Sequence, residues 1–244
     1  MSDLVYPPVI AAARTMFRVL GMRITIEGEE HVPASGGAVI ACNHISYLDF
    51  IFCGLGARKS GRLVRFMAKE EIFRNRVGGP LMRGMHHIPV DREAGMASYK
   101  QALENLKAGE VVGVFPEATI SPSFMIKDMK NGAARLAAAT GTPLVPMVLW
   151  GTQRFWTKGR KRDLTQRGIA ITIAAGEPLH PVRRDNADAI TAELRTRMSA
   201  MLDRAQRGYP QQPERPEDSW WLPAHLGGTA PEPSIEPQLE SETQ

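Results

Sequence analysis

Three short runs that contain no polar residue constrain the fold of this chain most: Ala38–Cys42, residues 111–115 and residues 144–149. Each is too short for a fully buried helix and suits a strand covered on both faces. Further strands are predicted at residues 22–28, which alternate apolar and polar, and at 63–67, 87–90 and 169–174. Helical spacing lies between them, at residues 48–55, 77–84 and 96–107. In the last of these, Met96, Tyr99, Leu103 and Leu106 recur on one face and Gly109 is placed to end the helix. An alanine-rich stretch at 133–140 stops at Gly141, and residues 187–206 carry Ile190, Leu194, Met198 and Met201 on one face. Strands separated by helices predict an α/β domain: a mixed, largely parallel sheet flanked by helices. The 244 residues are enough for one sizeable core, and no internal repeat is present.

The first apolar run leads directly into Asn43-His44-Ile45-Ser46-Tyr47-Leu48-Asp49. On one continuous helix, five residues turn through about 500°, which would point His44 and Asp49 apart. They meet only if His44 lies in the loop and Asp49 in the first turn of the next helix. A histidine backed by a carboxylate is the usual general base for a hydroxyl that attacks a carbonyl. The same residues also fit a simple helix start, a capping box with Ser46 as N-cap and Asp49 at N3. Spacing alone leaves both readings open.

Charge is unevenly distributed. The net charge is +4, but from Gly208 onward seven acids face the single base Arg215, so that segment carries −6 and residues 1–207 carry +10. A body this basic favours anionic partners. No stacking-aromatic and basic motif of an RNA module is present, which argues against nucleic acid. The two cysteines, Cys42 and Cys53, sit in apolar surroundings and read as buried thiols of a reducing compartment. His86 and His87 have no metal-ligand spacing with His44, so no metal is expected. No run of 18 apolar residues predicts a spanning helix, and residues 1–6 lack the positive start of a secretory leader.

Pro7 and Pro8 suit the first turn of a helix whose Val9, Ile10, Ala13, Met16, Phe17 and Leu20 share one face, with Arg14 and Arg18 on another. Such a helix lies on a membrane surface or packs on the protein. The expected organisation is therefore an amphipathic helix over 1–21, a single domain over 22–207, and an acidic, proline-rich tail over 208–244 that is largely disordered. Trp220-Trp221-Leu222 is the exception in that tail, since two adjacent tryptophans would dock on the domain or at a bilayer interface. The basic run at 158–162 reads as a solvated loop that anionic lipid would attract.

Three further segments lie where predicted strands meet loops: Ile88-Pro89-Val90-Asp91-Arg92, Val114-Phe115-Pro116-Glu117-Ala118-Thr119 and Leu144-Val145-Pro146-Met147. Taken with Asn43 to Asp49, their order and spacing resemble the glycerolipid acyltransferases, the 1-acyl-sn-glycerol-3-phosphate acyltransferase family, over roughly residues 22–180. The resemblance implies a glycerolipid-acyltransferase-like single domain with His44 as base and Asp49 as its partner. It implies substrate-binding roles for Asn43, Ser46, Lys69, Arg92, Glu117, Thr119 and Lys130, and matches Val145-Pro146 to the family's fourth block. Read alone, Arg92 is also a surface ion-pair partner and Glu117 a loop carboxylate or helix cap. The third block is usually Glu-Gly-Thr-Arg; here the glycine is Ala118 and the arginine is Ile120. In the family that arginine helps hold the acceptor phosphate, and Lys127 or Lys130 is the candidate to replace it.

The implied activity is transfer of a fatty acyl group from acyl-CoA or acyl carrier protein to a lysophospholipid hydroxyl, foremost 1-acyl-glycerol-3-phosphate. Neither cofactor nor metal is required. Oxyanion donors are expected among backbone N–H groups near the helix start after His44. An oily substrate implies peripheral attachment at the cytoplasmic face of the cell membrane. Two alternatives stand beside this reading: an acyltransferase for a glycolipid or other acceptor without a phosphomonoester, and a non-catalytic membrane-lipid-binding protein.

Overall fold

The computed structural model describes residues 3–76, 78–91 and 95–233. Its centre is a seven-stranded sheet: β1 (Arg23–Glu27), β2 (Ala38–Cys42), β3 (Val64–Lys69), β4 (Ile88–Val90), β5 (Val111–Val114), β6 (Leu144–Trp150) and β7 (Ala170–Ala175). The spatial order is β1-β7-β6-β2-β5-β3-β4. All neighbours are parallel except β6 and β7, which run antiparallel. The mixed, largely parallel sheet expected from the apolar runs is thus the observed one.

Helices cover both faces. α5 (Gly95–Lys107), α6 (Gly132–Thr140) and α7 (Ala187–Arg207) lie on one side. There Val39, Ala41, Val112, Val148 and Trp150 of the sheet meet Leu106, Leu136, Leu194 and Met198. α1 (Tyr6–Val19) and α2 (Asp49–Gly56) lie on the other, where Ile40, Cys42, Val145, Met147 and Leu149 meet Phe17, Phe52 and Cys53. Successive strand residues point to opposite faces. A strand buried on both sides therefore has no position left for a polar residue, which explains why β2 and β6 are wholly apolar. Two short helices, α3 (Glu70–Arg74) and α4 (Gly78–Gly84), connect β3 to β4.

α1 packs on the body. Phe17 stacks on Phe52 with ring centroids 5.1 Å apart, and the Tyr6 hydroxyl donates to the Val64 carbonyl. Asp3, just ahead of the helix, pairs with Arg65 at 2.8 Å. Between α1 and α2 an apolar cavity of about 380 Å³ remains, lined in part by Val9, Ile10, Ala13, Phe50 and Phe66.

In the C-terminal segment Trp221 and Leu222, the exception expected from the paired tryptophans, are buried in the core beside α7. Composition predicts disorder for the rest from residue 208, yet Tyr209 and Ala230 are buried there as well, and an average over acids and prolines conceals these two apolar anchors. Residues 234–244 of the expected tail lie outside the described residues.

Candidate functional site

β2, β5, β6, β3 and β4 are mutually parallel, so their C-terminal ends share one edge of the sheet. Loops from that edge build binding sites in α/β proteins. His44 follows β2, Glu117 follows β5 and Lys69 ends β3. Arg92, after β4, lies outside the described residues.

His44 sits in the loop and Asp49 opens α2. His44 Nδ1 lies 3.0 Å from Asp49 Oδ2. The same oxygen accepts the N–H groups of Ile45 and Ser46, both at 2.7 Å, while Oδ1 accepts the Thr152 hydroxyl at 2.6 Å. A carboxylate only accepts, so Nδ1 carries the proton and Nε2 presents its lone pair. Asp49 is fully buried, whereas the His44 side chain is 21% exposed. The imidazole stacks on Phe115 at 4.5 Å, which stacks in turn on Phe66. That stack runs from the base to the cavity beneath α1.

Both sequence readings of Asp49 have a counterpart here. Its bond to the Ser46 N–H is the reciprocal half of a capping box, but Ser46 Oγ turns elsewhere, accepting the Leu48 N–H and donating to the Trp156 carbonyl. One carboxylate both starts the helix and holds the imidazole.

Among the expected oxyanion donors, the amides of residues 44–49 are already engaged. The N–H of His44 goes to Glu117, those of Ile45 and Ser46 to Asp49, and that of Tyr47 to the Trp156 carbonyl. Leu48 donates to Ser46 Oγ and Asp49 to the Ser46 carbonyl. Holding the base in a tight loop uses every amide from 44 to 49.

Glu117 ties the two loops together. Its Oε1 accepts the His44 N–H at 2.8 Å and its Oε2 the Lys127 N–H at 2.9 Å. Burial pushes this carboxyl up to about 7, against the pull of those two N–H donors. Asn43 is likewise turned inward, where its amide exchanges two hydrogen bonds with the Leu149 backbone. Asn43, Ser46 and Glu117, named above for substrate binding, therefore direct their polar atoms at the protein itself. Thr119 faces a different partner: its hydroxyl accepts Lys127 Nζ at 2.6 Å. Lys69 and Lys130 are exposed. Ile120, in the place of the family's arginine, is buried.

The fourth block is also placed differently. Val145-Pro146 lies inside β6, with Val145 beside Ile40 and Pro146 beside Ala41, instead of at a strand–loop junction. What β6 brings to the site edge is Thr152, just past its end, a residue the sequence reading missed. The signal available was Gly151-Thr152 directly after an all-apolar strand.

Comparison with known proteins bears on the same region. The Acyltransferase family model matches residues 23–150. The chain is 32% identical over 188 residues to the 1-acyl-sn-glycerol-3-phosphate acyltransferase of Bacillus subtilis, covering 76% of this chain and 86% of that protein. It is also 32% identical over 185 residues to the chloroplastic 1-acyl-sn-glycerol-3-phosphate acyltransferase LPAT1 of Arabidopsis thaliana, of which it spans about half, 49%. Among solved structures, the 1-acyl-sn-glycerophosphate acyltransferase PlsC of Thermotoga maritima superposes with a TM-score of 0.69. That match covers 84% of this chain and 81% of that one at 22% identity, a likeness of fold.

Proposed function

Since the chain belongs to the Acyltransferase family, we propose that it moves a fatty acyl group from acyl-CoA or acyl carrier protein to the free hydroxyl of 1-acyl-glycerol-3-phosphate. The observation that carries this reading is the His44–Asp49 pair, with Nδ1 held at 3.0 Å and Nε2 left for a substrate. His44 Nε2 takes the hydroxyl proton as the oxygen attacks the thioester carbonyl. Asp49 stabilises the imidazolium that forms. The tetrahedral intermediate collapses, the carbon–sulfur bond breaks, and the thiolate leaves with the proton returned by Nε2. No covalent enzyme intermediate, metal or cofactor enters these steps.

The headgroup reading rests on the Glu117 loop. Lys127 Nζ, half-buried and bonded to Thr119 Oγ1, makes no close ion pair among the described residues, although the buried Glu117 carboxyl feels its charge. Its neighbour Asp128 is engaged by Arg195 at 3.0 Å. An ammonium in that position complements an anion, and its backbone hangs from the same carboxyl that holds the His44 N–H. Lys127 and Thr119 thus take up the phosphate in place of the missing arginine, with the exposed Lys69 and Lys130 adding to the positive field.

Membrane contact is part of the same proposal. No helix among the described residues is long and apolar enough to cross a bilayer. Beside α1 an open hollow of about 400 Å³ is lined by Arg14, Arg18 and Arg58, by Lys59 paired with Glu29 at 3.3 Å, and by Phe17, Ile24 and Leu55. Cations beside apolar side chains suit an anionic lipid surface, consistent with peripheral attachment at the cytoplasmic face.

The test is an acceptor screen with labelled acyl-CoA. Lysophosphatidic acid, an uncharged monoacylglycerol and a glycolipid are compared in the native protein and in Lys127→Met. The proposal expects transfer to lysophosphatidic acid, with KM for that acceptor raised about tenfold or more in the variant, as for loss of one charge-assisted hydrogen bond. Preferred use of the glycolipid by both proteins would overturn the phosphate assignment. No transfer to any acceptor would favour the non-catalytic lipid-binding reading.

A further inference from the structure

Residues 152–157, which follow β6, lie between the catalytic loop and the C-terminal segment. On the catalytic side the Thr152 hydroxyl donates to Asp49 Oδ1 at 2.6 Å, the one hydrogen bond that oxygen has among the described residues. Both residues are fully buried. The Trp156 carbonyl accepts from Ser46 Oγ and from the Tyr47 N–H, and the Thr157 hydroxyl donates to the Ile45 carbonyl at 2.8 Å. Four residues of the His44–Asp49 loop are thus held by this one segment. Gly151 makes the turn possible: its φ is +99°, and a Cβ there would lie 2.2 Å from the Ala170 carbonyl oxygen.

The far side of the same segment is braced by the C-terminal stretch. Gln153 Nε2 donates to the Trp221 carbonyl at 3.2 Å. Arg154 Nη1 donates to Gln211 Oε1 at 2.8 Å, and its guanidinium lies over the Trp221 ring at 4.6 Å. Tyr209, which also takes a bond from Arg154, anchors its hydroxyl on the Ala170 carbonyl.

We infer that Thr152 is a positioning residue that sets the rotation of the Asp49 carboxylate, and that the Arg154–Trp221 clasp holds Thr152 in place. The inference rests on the acyl-transfer reading of His44 and Asp49. A carboxylate whose Oδ2 bears three donors and whose Oδ1 bears none would turn to share them, and His44 Nδ1 would lose its alignment. Hydrogen bonds that set the geometry of a catalytic pair act on the transition state more than on substrate binding.

The experiment compares Thr152→Val, Thr152→Ser and Arg154→Gln in the full chain, with folding checked by thermal melting. Thr152→Val, nearly isosteric but without the hydroxyl, is expected to lower kcat about tenfold or more while both KM values change less than twofold. Thr152→Ser is expected to restore kcat to within about threefold of native. Arg154→Gln is expected to lower kcat alone, and to add little once Thr152→Val is present, because both act through one carboxylate. Native kcat in folded Thr152→Val would overturn the inference, as would failure of Thr152→Ser to restore activity. Full additivity of Thr152→Val and Arg154→Gln would remove the clasp from it. A native protein without acyl transfer would instead overturn the acyl-transfer reading, and an active His44→Ala variant the assignment of His44 as its base.

Discussion

The backbone N–H of His44 ends on Glu117 Oε1 at 2.8 Å, so the base is held from two directions: its ring by Asp49, its main chain by a carboxyl from the neighbouring loop. Glu117 is buried and pushed up to about 7, against an ordinary value of 4.5. The folded state therefore binds this proton more tightly than the unfolded chain does.

The consequence for stability has a definite sign. Glu117 imposes no ionisation penalty below about pH 4.5, and stability is lost as pH rises through 7. The full loss is about 3 kcal/mol, from about 1.4 kcal/mol per pKa unit. Urea midpoints at pH 5 and pH 8 should show this fall in the native protein. Glu117→Gln should be less stable at pH 5, because its NH₂ faces one of the two N–H donors, and should lack that component of the pH slope. An identical slope in both proteins would contradict the buried titration.

His44→Ala should lower kcat by about 10²–10⁴-fold, the usual contribution of a positioned general base. Its melting temperature should stay near native, since Asp49 keeps Thr152, Ile45 and Ser46 as donors. Near-native turnover in a folded variant would remove His44 from the chemistry.

Gly113→Ala tests the aromatic stack beneath the base. A Cβ at this position in β5 would lie 2.5 Å from the Phe66 ring and 2.7 Å from Val64 Cγ1. Overpacking of this kind costs about 1–3 kcal/mol. Phe66 stacks on Phe115, and Phe115 on His44, so turnover should fall together with the urea midpoint. A variant as stable as the native protein would mean that the stack yields without strain.

Charge reversal of Arg14, Arg18 and Arg58 should weaken binding to anionic vesicles by roughly fivefold per residue at low salt. The native affinity should itself fall as salt is added. Neutral vesicles should bind weakly throughout. Equal binding of native and reversed proteins to anionic vesicles would leave α1 as a packing element only.

Most of the sheet was legible because a strand buried on both faces admits only apolar residues. Residues 38–42 give β2 to the residue, and the strands and helices around it lie within a few positions of their expected places. The His44–Asp49 meeting was legible as one of two readings, because a five-residue spacing lets the side chains meet only if His44 lies in the loop and Asp49 in the first turn of the helix. Less visible were features set by contacts distant in sequence. Thr152 lies 103 positions from Asp49, and no local pattern ties them. The direction of β7 is decided across the ladder by the pairing of Met147 with Ala175 through Trp150 with Thr172. The N–H groups of His44 and Tyr47 are taken up for a related reason, since their acceptors, Glu117 and the Trp156 carbonyl, come from loops 73 and 109 residues further along.

The docking of Tyr209, Trp221 and Leu222 also bears on biosynthesis. At about 5–20 residues per second, residues 208–230 are made roughly one to five seconds after α7 is complete. During that interval Trp150 lacks its edge contact with Tyr209, and Arg154 has no indole beneath it. The nascent domain can assemble its sheet while the carboxylate behind the base is still unbraced. Full catalytic competence would then arrive with the last layer of the core, after the sheet and α1 have already had time to pack.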